Sequence, residues 1–368
     1  MDWQHAAQTL AAHLADSGEL SDPAWRRAFE QVPRHVFVPD APLDQVYADQ
    51  VLVTQQRPAP TTAGTTGPLL PTSSSSQPGV MATMLERADI RDGMRVLEIG
   101  TATGYNAALL THRLGGNNVY SVELDPTLHA IARQRLAVTG HHPHLDVGDG
   151  SAGWAEQAPY DRIIATCAVN HIPPAWIDQL HTGGRIVAPL AGAGCALMIL
   201  DKTADDEVSG RFDNQHVAFM PLRSDVGNPL ADRRTLGPAA TGIGQYGITS
   251  LDPAVYDHAD HDLNLLLQLH LPGLSIGAMD NPHGTFLTLS TPTGHAQVAR
   301  TADAVDGRHT TIQYGGRPWD TAEHVAELWQ RLDHPHRGRY GISALNHTDR
   351  QYIWLDHPDS PYAWPMPV

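Results

Sequence analysis

"VLEIGTATGYNAALL" occupies residues 96–110, and its reading decides the fold. An apolar strand runs into Gly100, a tight turn reaches Gly104, and an apolar helix begins at Tyr105. Glycine lets backbone approach a ligand closely, and a helix N-terminus offers unpaired N–H groups. A nicotinamide loop requires G-x-G-x-x-G, and G-T-A-T-G lacks two of those glycines. A P-loop ends in Gly-Lys-Ser/Thr, and the only lysine of the chain is Lys202. What remains is an adenosine-binding strand–turn–helix unit of another type.

Downstream, strands and helices alternate. "NVYSVELD" (118–125) reads as a strand, and the run from Pro126 as a helix. "LDVGDG" and "YDRIIATCAV" read as strands, "PPAWIDQL" as a short helix, and "GGRIVAPL" and "CALMILD" as strands. Such alternation predicts a mostly parallel, doubly wound sheet with helices on both faces. Glu123 ends the second strand about twenty residues past the glycine loop, where an acid holds a ribose diol. Asp149, in "GDG", ends the third strand at the same carboxyl edge, where it can accept from an adenine amino group. Either acid alone reads as a solvated strand end. Two of them behind a glycine loop point to a ligand site, a pattern shared by class I S-adenosylmethionine-dependent methyltransferases.

Upstream, residues 3–16 read as a helix. A second helix follows, with Asp22 as N-cap and Pro23 in the first turn. "RHVFVP" (34–39) leads into an extended stretch. Residues 54–78, rich in Thr, Pro, Gly and Ser, read as a long loop, and loops of that length are often functional. Within it, "PTSSSSQPGV" (71–80) reads by composition as a solvated linker. A helix restarts at "PGVMATMLERADI".

After "FMPLR" (219–223) the pattern changes. Residues 224–245 read as loop, "DLNLLLQLHLPG" as helix and "TFLTLST" as strand. "DTAEHVAELWQRLDH" reads as a helix with an Asp320/Glu323 capping box. "RYGISAL" and "QYIWLD" read as paired strands. The chain of 368 residues is therefore expected to divide at 224/225. Residues 1–224 would form the Rossmann-like α/β domain with N-terminal helices, and 225–368 a smaller α+β accessory or substrate-recognition domain.

The net charge of −16 argues against a nucleic-acid partner, which calls for a basic footprint. Cys167 and Cys195 each lie in an apolar run and are expected to be buried free thiols in a reducing compartment. The histidine clusters at 140–146 and 332–340 lack metal-site spacing, so no metal is assigned. The N-terminus has no signal-peptide pattern, and no apolar run reaches membrane-span length. A cytoplasmic protein without membrane contact is expected.

Several ordered motifs across about residues 24–223 make the sequence resemble protein-L-isoaspartate O-methyltransferases. They are "AFEQVPRHVFVP" (28–39), "SSSQP" (74–78), "VLEIGTATGYNAALL", "VYSVELDP" (119–126), "GDGSAGWAEQAPYDRII" (148–164), "IPP" with "LHTGGRIVAPL" (180–190), and "FMPLR". The resemblance implies S-adenosyl-L-methionine as cofactor. The backbone of Gly100, Thr101, Ala102 and Gly104 would cradle its amino-acid end, Glu123 the ribose and Asp149 the adenine, with Glu98 and Gly150 completing the set. Ser76 would be the catalytic hydroxyl touching the acceptor carboxyl. Ser73, Ser74 and Ser75 would shape the turn presenting it, and Ser75, Gln77 and His171 would help bind substrate.

Ala102 stands where the family usually has Gly, tolerable if its φ stays negative. The long loop and extra domain resemble the subgroup that modifies ribosomally made peptides of graspetide and lanthipeptide type. There the acceptor is an ordinary aspartate in a pre-cyclised peptide, and the product is an aspartimide or isoaspartate. General isoaspartate repair and a non-catalytic peptide-binding module are the competing readings.

Overall fold

Local capping sets the first two helices. In the computed structural model, which describes residues 2–59, 67–224, 244–257, 261–346 and 350–366, Asp2 caps α1 (Trp3–Asp16) by accepting from the Gln4 amide. Asp22 caps α2 (Pro23–Gln31) by accepting from Ala24 N at 2.7 Å. Their buried faces (Leu10, Leu14, Trp25, Phe29) close over one side of the sheet. Each such side chain contributes roughly 1.5–3 kcal/mol.

Two short helices follow, α3 (Arg34–Phe37) and α4 (Leu43–Val46). Residues 34–37 make a helical turn, which drives Phe37 and the Arg34 side chain fully inside. The expected loop is an antiparallel hairpin, β1 (Leu52–Pro58) with β2 (Leu69–Ser75). Its tip, residues 60–66, lies outside the described residues. Then come α5 (Pro78–Arg87), β3 (Val96–Ile99), α6 (Tyr105–Leu114), β4 (Val119–Glu123), α7 (Pro126–Val138), β5 (His144–Val147), β6 (Tyr160–Ala165) and α8 (Pro174–Gln179). β7 (Leu180–Pro189), β8 (Ala196–Ala204) and β9 (Glu207–His216) complete this half.

The C-terminal part begins with β10 (Gln245–Thr249), α9 (His261–His270), β11 (Ser275–Asn281), β12 (Gly284–Thr291), β13 (Gly294–Ala299) and β14 (His309–Gly315). It ends with α10 (Pro318–Arg331), β15 (Tyr340–Leu345), β16 (Gln351–Leu355) and β17 (Ala363–Pro365). Residues 225–243, most of the expected loop at 224–245, lie outside the described residues. The Asp320/Glu323 capping box does not form. Arg317 occupies the N-cap in the left-handed region, and Glu323 instead accepts from Thr249 Oγ1.

The large sheet runs β5-β4-β3-β6-β7-β8-β9-β15-β16-β17. From β5 to β7 the neighbours are parallel, and from β7 onward they are antiparallel. The sheet is therefore only half parallel. It crosses the 224/225 point, because β15 pairs with β9 through Gly341–Arg211 to Leu345–Glu207. Strands β10 to β14 form a second sheet, a five-stranded antiparallel one ordered β10-β14-β13-β12-β11. Its inward residues Leu287, Leu289 and Val298 share one apolar cluster with Ile99, Ile163 and Trp176 of the parallel half.

Candidate active site

The carboxyl edge of β3 and β4, the hairpin and the segment 216–223 enclose a cavity of about 580 Å³, within the usual range for small-molecule sites. Its floor is the glycine loop. Gly100 has φ 95°, and a Cβ there would stand 2.9 Å from Thr166 Oγ1. That hydroxyl donates to Gly100 O at 2.6 Å and fixes the turn.

Ala102 has φ 46°, so the negative φ expected for it is not adopted. The left-handed conformation points its N–H at Glu123 Oε2, 2.8 Å away. Asp125 N donates to the other oxygen, Oε1, at 3.0 Å. A carboxylate has about four acceptor sites, so Glu123 keeps capacity toward the cavity it lines. Burial raises its pKa, opposed by those two N–H groups and by the charge of Arg223.

Glu98 lies fully buried under the loop. It accepts from Asn106 Nδ2 at 2.7 Å and Ser121 Oγ at 2.5 Å, and Ser121 in turn meets Thr101 Oγ1. Burial pushes the Glu98 carboxyl up to about 7, against those two hydrogen bonds. Its part is to hold the loop from beneath.

Ser76 lines the wall opposite the loop, with Ser73, Ser74, Ser75 and Gln77 beside it. Ser73, Ser74 and Ser75 lie in β2 and form a strand wall rather than the expected turn. Sequence reasoning missed what holds that wall. Arg34, fully buried, donates to Val46 O (2.7 Å), Ala48 O (3.3 Å) and Gln50 O (3.2 Å). It also donates to Ser75 Oγ (3.3 Å) and Ser76 O (3.0 Å). One guanidinium thus ties the 46–50 turn to the serine segment. It also lies 5.7 Å from the ring centre of Tyr105, the first residue of α6. The Gln77 amide donates to Asp49 Oδ2 at 2.7 Å, which anchors the start of α5.

Three expected site residues fall outside the cavity lining. Asp149 is exposed and accepts from Ser151 N, capping a short turn, while its neighbour Gly150 lines the cavity. Gly150 is held there by Trp176 Nε1 on its carbonyl at 2.8 Å. Gly104 serves packing instead: a Cβ there would press within 3.3–3.4 Å of Ala132 and Leu136 on α7. His171 is half-buried and does not line the cavity.

Both cysteines, expected to be buried, are half-buried free thiols in the cavity wall. Burial pushes the Cys167 thiol up to about 12, with Glu123 and Glu98 adding to the effect. Arg223 and Thr166 also line the cavity and were not singled out from the sequence. Arg223 ends the "FMPLR" motif, but its place in the site shows only once Ala168 pairs with Met220 and Leu222 and folds the 217–223 segment back over the sheet edge. Among the described residues no helix is long and apolar enough to cross a membrane, and no group of three His, Cys, Asp or Glu side chains is placed to hold a metal ion.

Comparison with known proteins agrees with this geometry. A Polaromonas protein named protein-L-isoaspartate O-methyltransferase 2 is 41% identical over 195 residues, covering 52% of this chain and 84% of its own. Protein-L-isoaspartate O-methyltransferase 1 of Anaeromyxobacter is 40% identical over 230 residues, covering 61% of this chain and 99% of its own. A solved protein-L-isoaspartate O-methyltransferase superposes with TM-score 0.56 at 25% identity, over 95% of this chain and all of that one. Its coverage extends through the C-terminal part, which is therefore not peculiar to this chain. The family model "Protein-L-isoaspartate(D-aspartate) O-methyltransferase (PCMT)" matches residues 5–227, more than half of the sequence, and the chain belongs to this family of S-adenosylmethionine-dependent protein carboxyl O-methyltransferases.

Proposed function

We propose that the enzyme esterifies an aspartate side chain in a ribosomally synthesised, pre-cyclised peptide, in the cavity between the glycine loop and the serine strand. The observation that carries the reading is the β1–β2 hairpin, which walls the acceptor side with Val53, Pro71 and the serines from Ser73 to Ser76. It is fastened to the glycine-loop side through Arg57, 2.8 Å from Asp125. A fixed wall of this kind favours selection of one acceptor over acceptance of many.

The cavity fits S-adenosyl-L-methionine in volume and in donors. Glu123 retains acceptor capacity for a ribose diol, and Gly100, Thr101, Ala102 and Gly150 present backbone without large side chains. When bound, that cofactor supplies an electrophilic methyl group on a sulfonium. The acceptor carboxyl has a reference pKa of about 4 and is already ionised near neutrality, so no general base is needed. Ser76 donates a hydrogen bond to it and fixes its angle. Arg34 keeps Ser76 in place. The buried apolar lining of Ile99, Met81 and Val217 excludes water on its side while two charges cancel. In the ester so formed, the next backbone nitrogen expels methanol and closes a succinimide, which opens to aspartate or isoaspartate.

General repair of isoaspartyl sites is the second reading, favoured by the solved relative of that name whose match extends over the C-terminal part. Offering cyclised aspartyl peptides and generic isoaspartyl peptides side by side, with mass spectrometry, separates the two. Gain of a methylene followed by loss of methanol on the cyclised peptide supports the tailoring reading. Faster methylation of the generic isoaspartyl peptides overturns it in favour of repair.

A further inference from the structure

We propose that Arg223 forms an anion subsite for the peptide acceptor, holding a second carboxylate distinct from the one that is methylated. The inference rests on the functional reading above and names what else the substrate must carry.

Arg223 is the only arginine among the described lining residues, and that lining holds no lysine. Its placement is built. Leu222 N donates to Ala168 O at 2.8 Å, and Ala168 N to Met220 O at 2.9 Å, so the segment is stitched to the sheet edge. One terminal nitrogen of Arg223 donates to Thr72 O of β2 at 3.0 Å. The other, Nη1, is buried and has no hydrogen-bond partner among the described residues. A desolvated cationic N–H without an acceptor is costly, and a carboxylate is its natural complement. The guanidinium is tied to the hairpin wall, the side assigned to the acceptor, and its charge also acts on Glu123.

Its anchor, Thr72 O, lies within β2, whereas Ser76 follows the end of that strand. Thr72 and Ser76 are four residues apart, and four residues of extended chain cover about 13 Å. That span separates the backbone positions on which Arg223 and Ser76 act, so two carboxyl groups of the peptide are assigned to them. The anion that Arg223 takes therefore belongs to a neighbouring part of the peptide, an acidic side chain or a C-terminus.

The test uses the full-length enzyme and two series of synthetic peptides, one cyclised with aspartate and one linear with isoaspartate. Each carries a single Glu or Gln at successive positions within five residues of the acceptor. At one position Glu is expected to lower KM roughly tenfold relative to Gln, with little change in kcat. In Arg223→Gln that preference falls to near unity, and Arg223→Lys keeps part of it. Cofactor affinity measured by calorimetry checks that both variants are folded and stays within about threefold of wild type. A Glu preference absent at every position, or unchanged in Arg223→Gln, overturns the subsite. A cofactor affinity that falls tenfold in Arg223→Gln overturns it too, by assigning the arginine to the cofactor. Methylation of neither series overturns the functional reading and the subsite with it, whereas methylation without a Glu effect overturns the subsite alone.

Discussion

Ala102 shows what a single residue does to the loop. Its φ of 46° is a conformation that costs an L-residue roughly 1–2 kcal/mol. The strain turns an N–H onto Glu123. Ala102→Gly relieves it at some cost in unfolded-state entropy, so a net stabilisation of about 0.5–1 kcal/mol is expected. Urea unfolding with an unchanged m-value checks this, and a loss of stability would refute it. Glu98 gives a pH signature. Its carboxyl in the fold titrates at about 7, above the ordinary 4.5. Between those values the folded chain holds a proton that the unfolded chain has released, so stability falls as pH rises. The contribution is whole below the unfolded value and is lost as pH climbs through the folded one. Relative to Glu98→Gln, the wild type should lose on the order of 2–3 kcal/mol from pH 4.5 to 7. Parallel stability curves for the two proteins would contradict the buried titration.

Among the elements, β3, β4 and β6 were legible because each is a short, largely buried run followed by its own helix, a local pattern. The β1–β2 hairpin was not. Its strands carry Pro58 and Pro71 with Thr, Gln and Ser, and its register is irregular at Gln55, so neither propensity nor alternation announces it. Its stability comes from side chains far along the sequence: Asp125, bonded by Arg57 and Gln55, and Arg223 on Thr72 O. β11 and β13 were missed for a related reason, since "SIGAMDN" and "GHAQVA" contain few β-branched or aromatic residues and rely on their neighbours. The hairpin makes a kinetic prediction. Arg57→Ala removes the charged one of the two bonds from β1 to Asp125 and leaves only that of Gln55, so peptide KM should rise several-fold while cofactor affinity moves less than twofold. Steady-state kinetics and calorimetry read the two separately. Equal losses would show that Arg57 serves the cofactor.

At the scale of the whole molecule, the C-terminal part reaches the site wall. Arg337, fully buried, donates to Gly194 O and to Cys195 O, the latter a cavity-lining residue, and pairs with Asp262 at 2.7 Å. Gln351 clasps Ile172 through both its N–H and its carbonyl, and Gln268 does the same for Gly194 N and Ala191 O. None of these long-range bonds is visible in a linear pattern, which is why residues 225–368 read as separate. A chain ending at residue 224 should aggregate, because it bares the β9 edge and the apolar cluster beneath β15. Size-exclusion chromatography checks this, and a soluble, cofactor-binding monomer would refute it. The catalytic claim itself is tested most directly by Ser76→Ala, with peptide methylation and cofactor affinity measured on the same preparation. The account predicts turnover reduced at least about tenfold with cofactor affinity within about twofold. Unchanged turnover, or equal losses in both quantities, would contradict it.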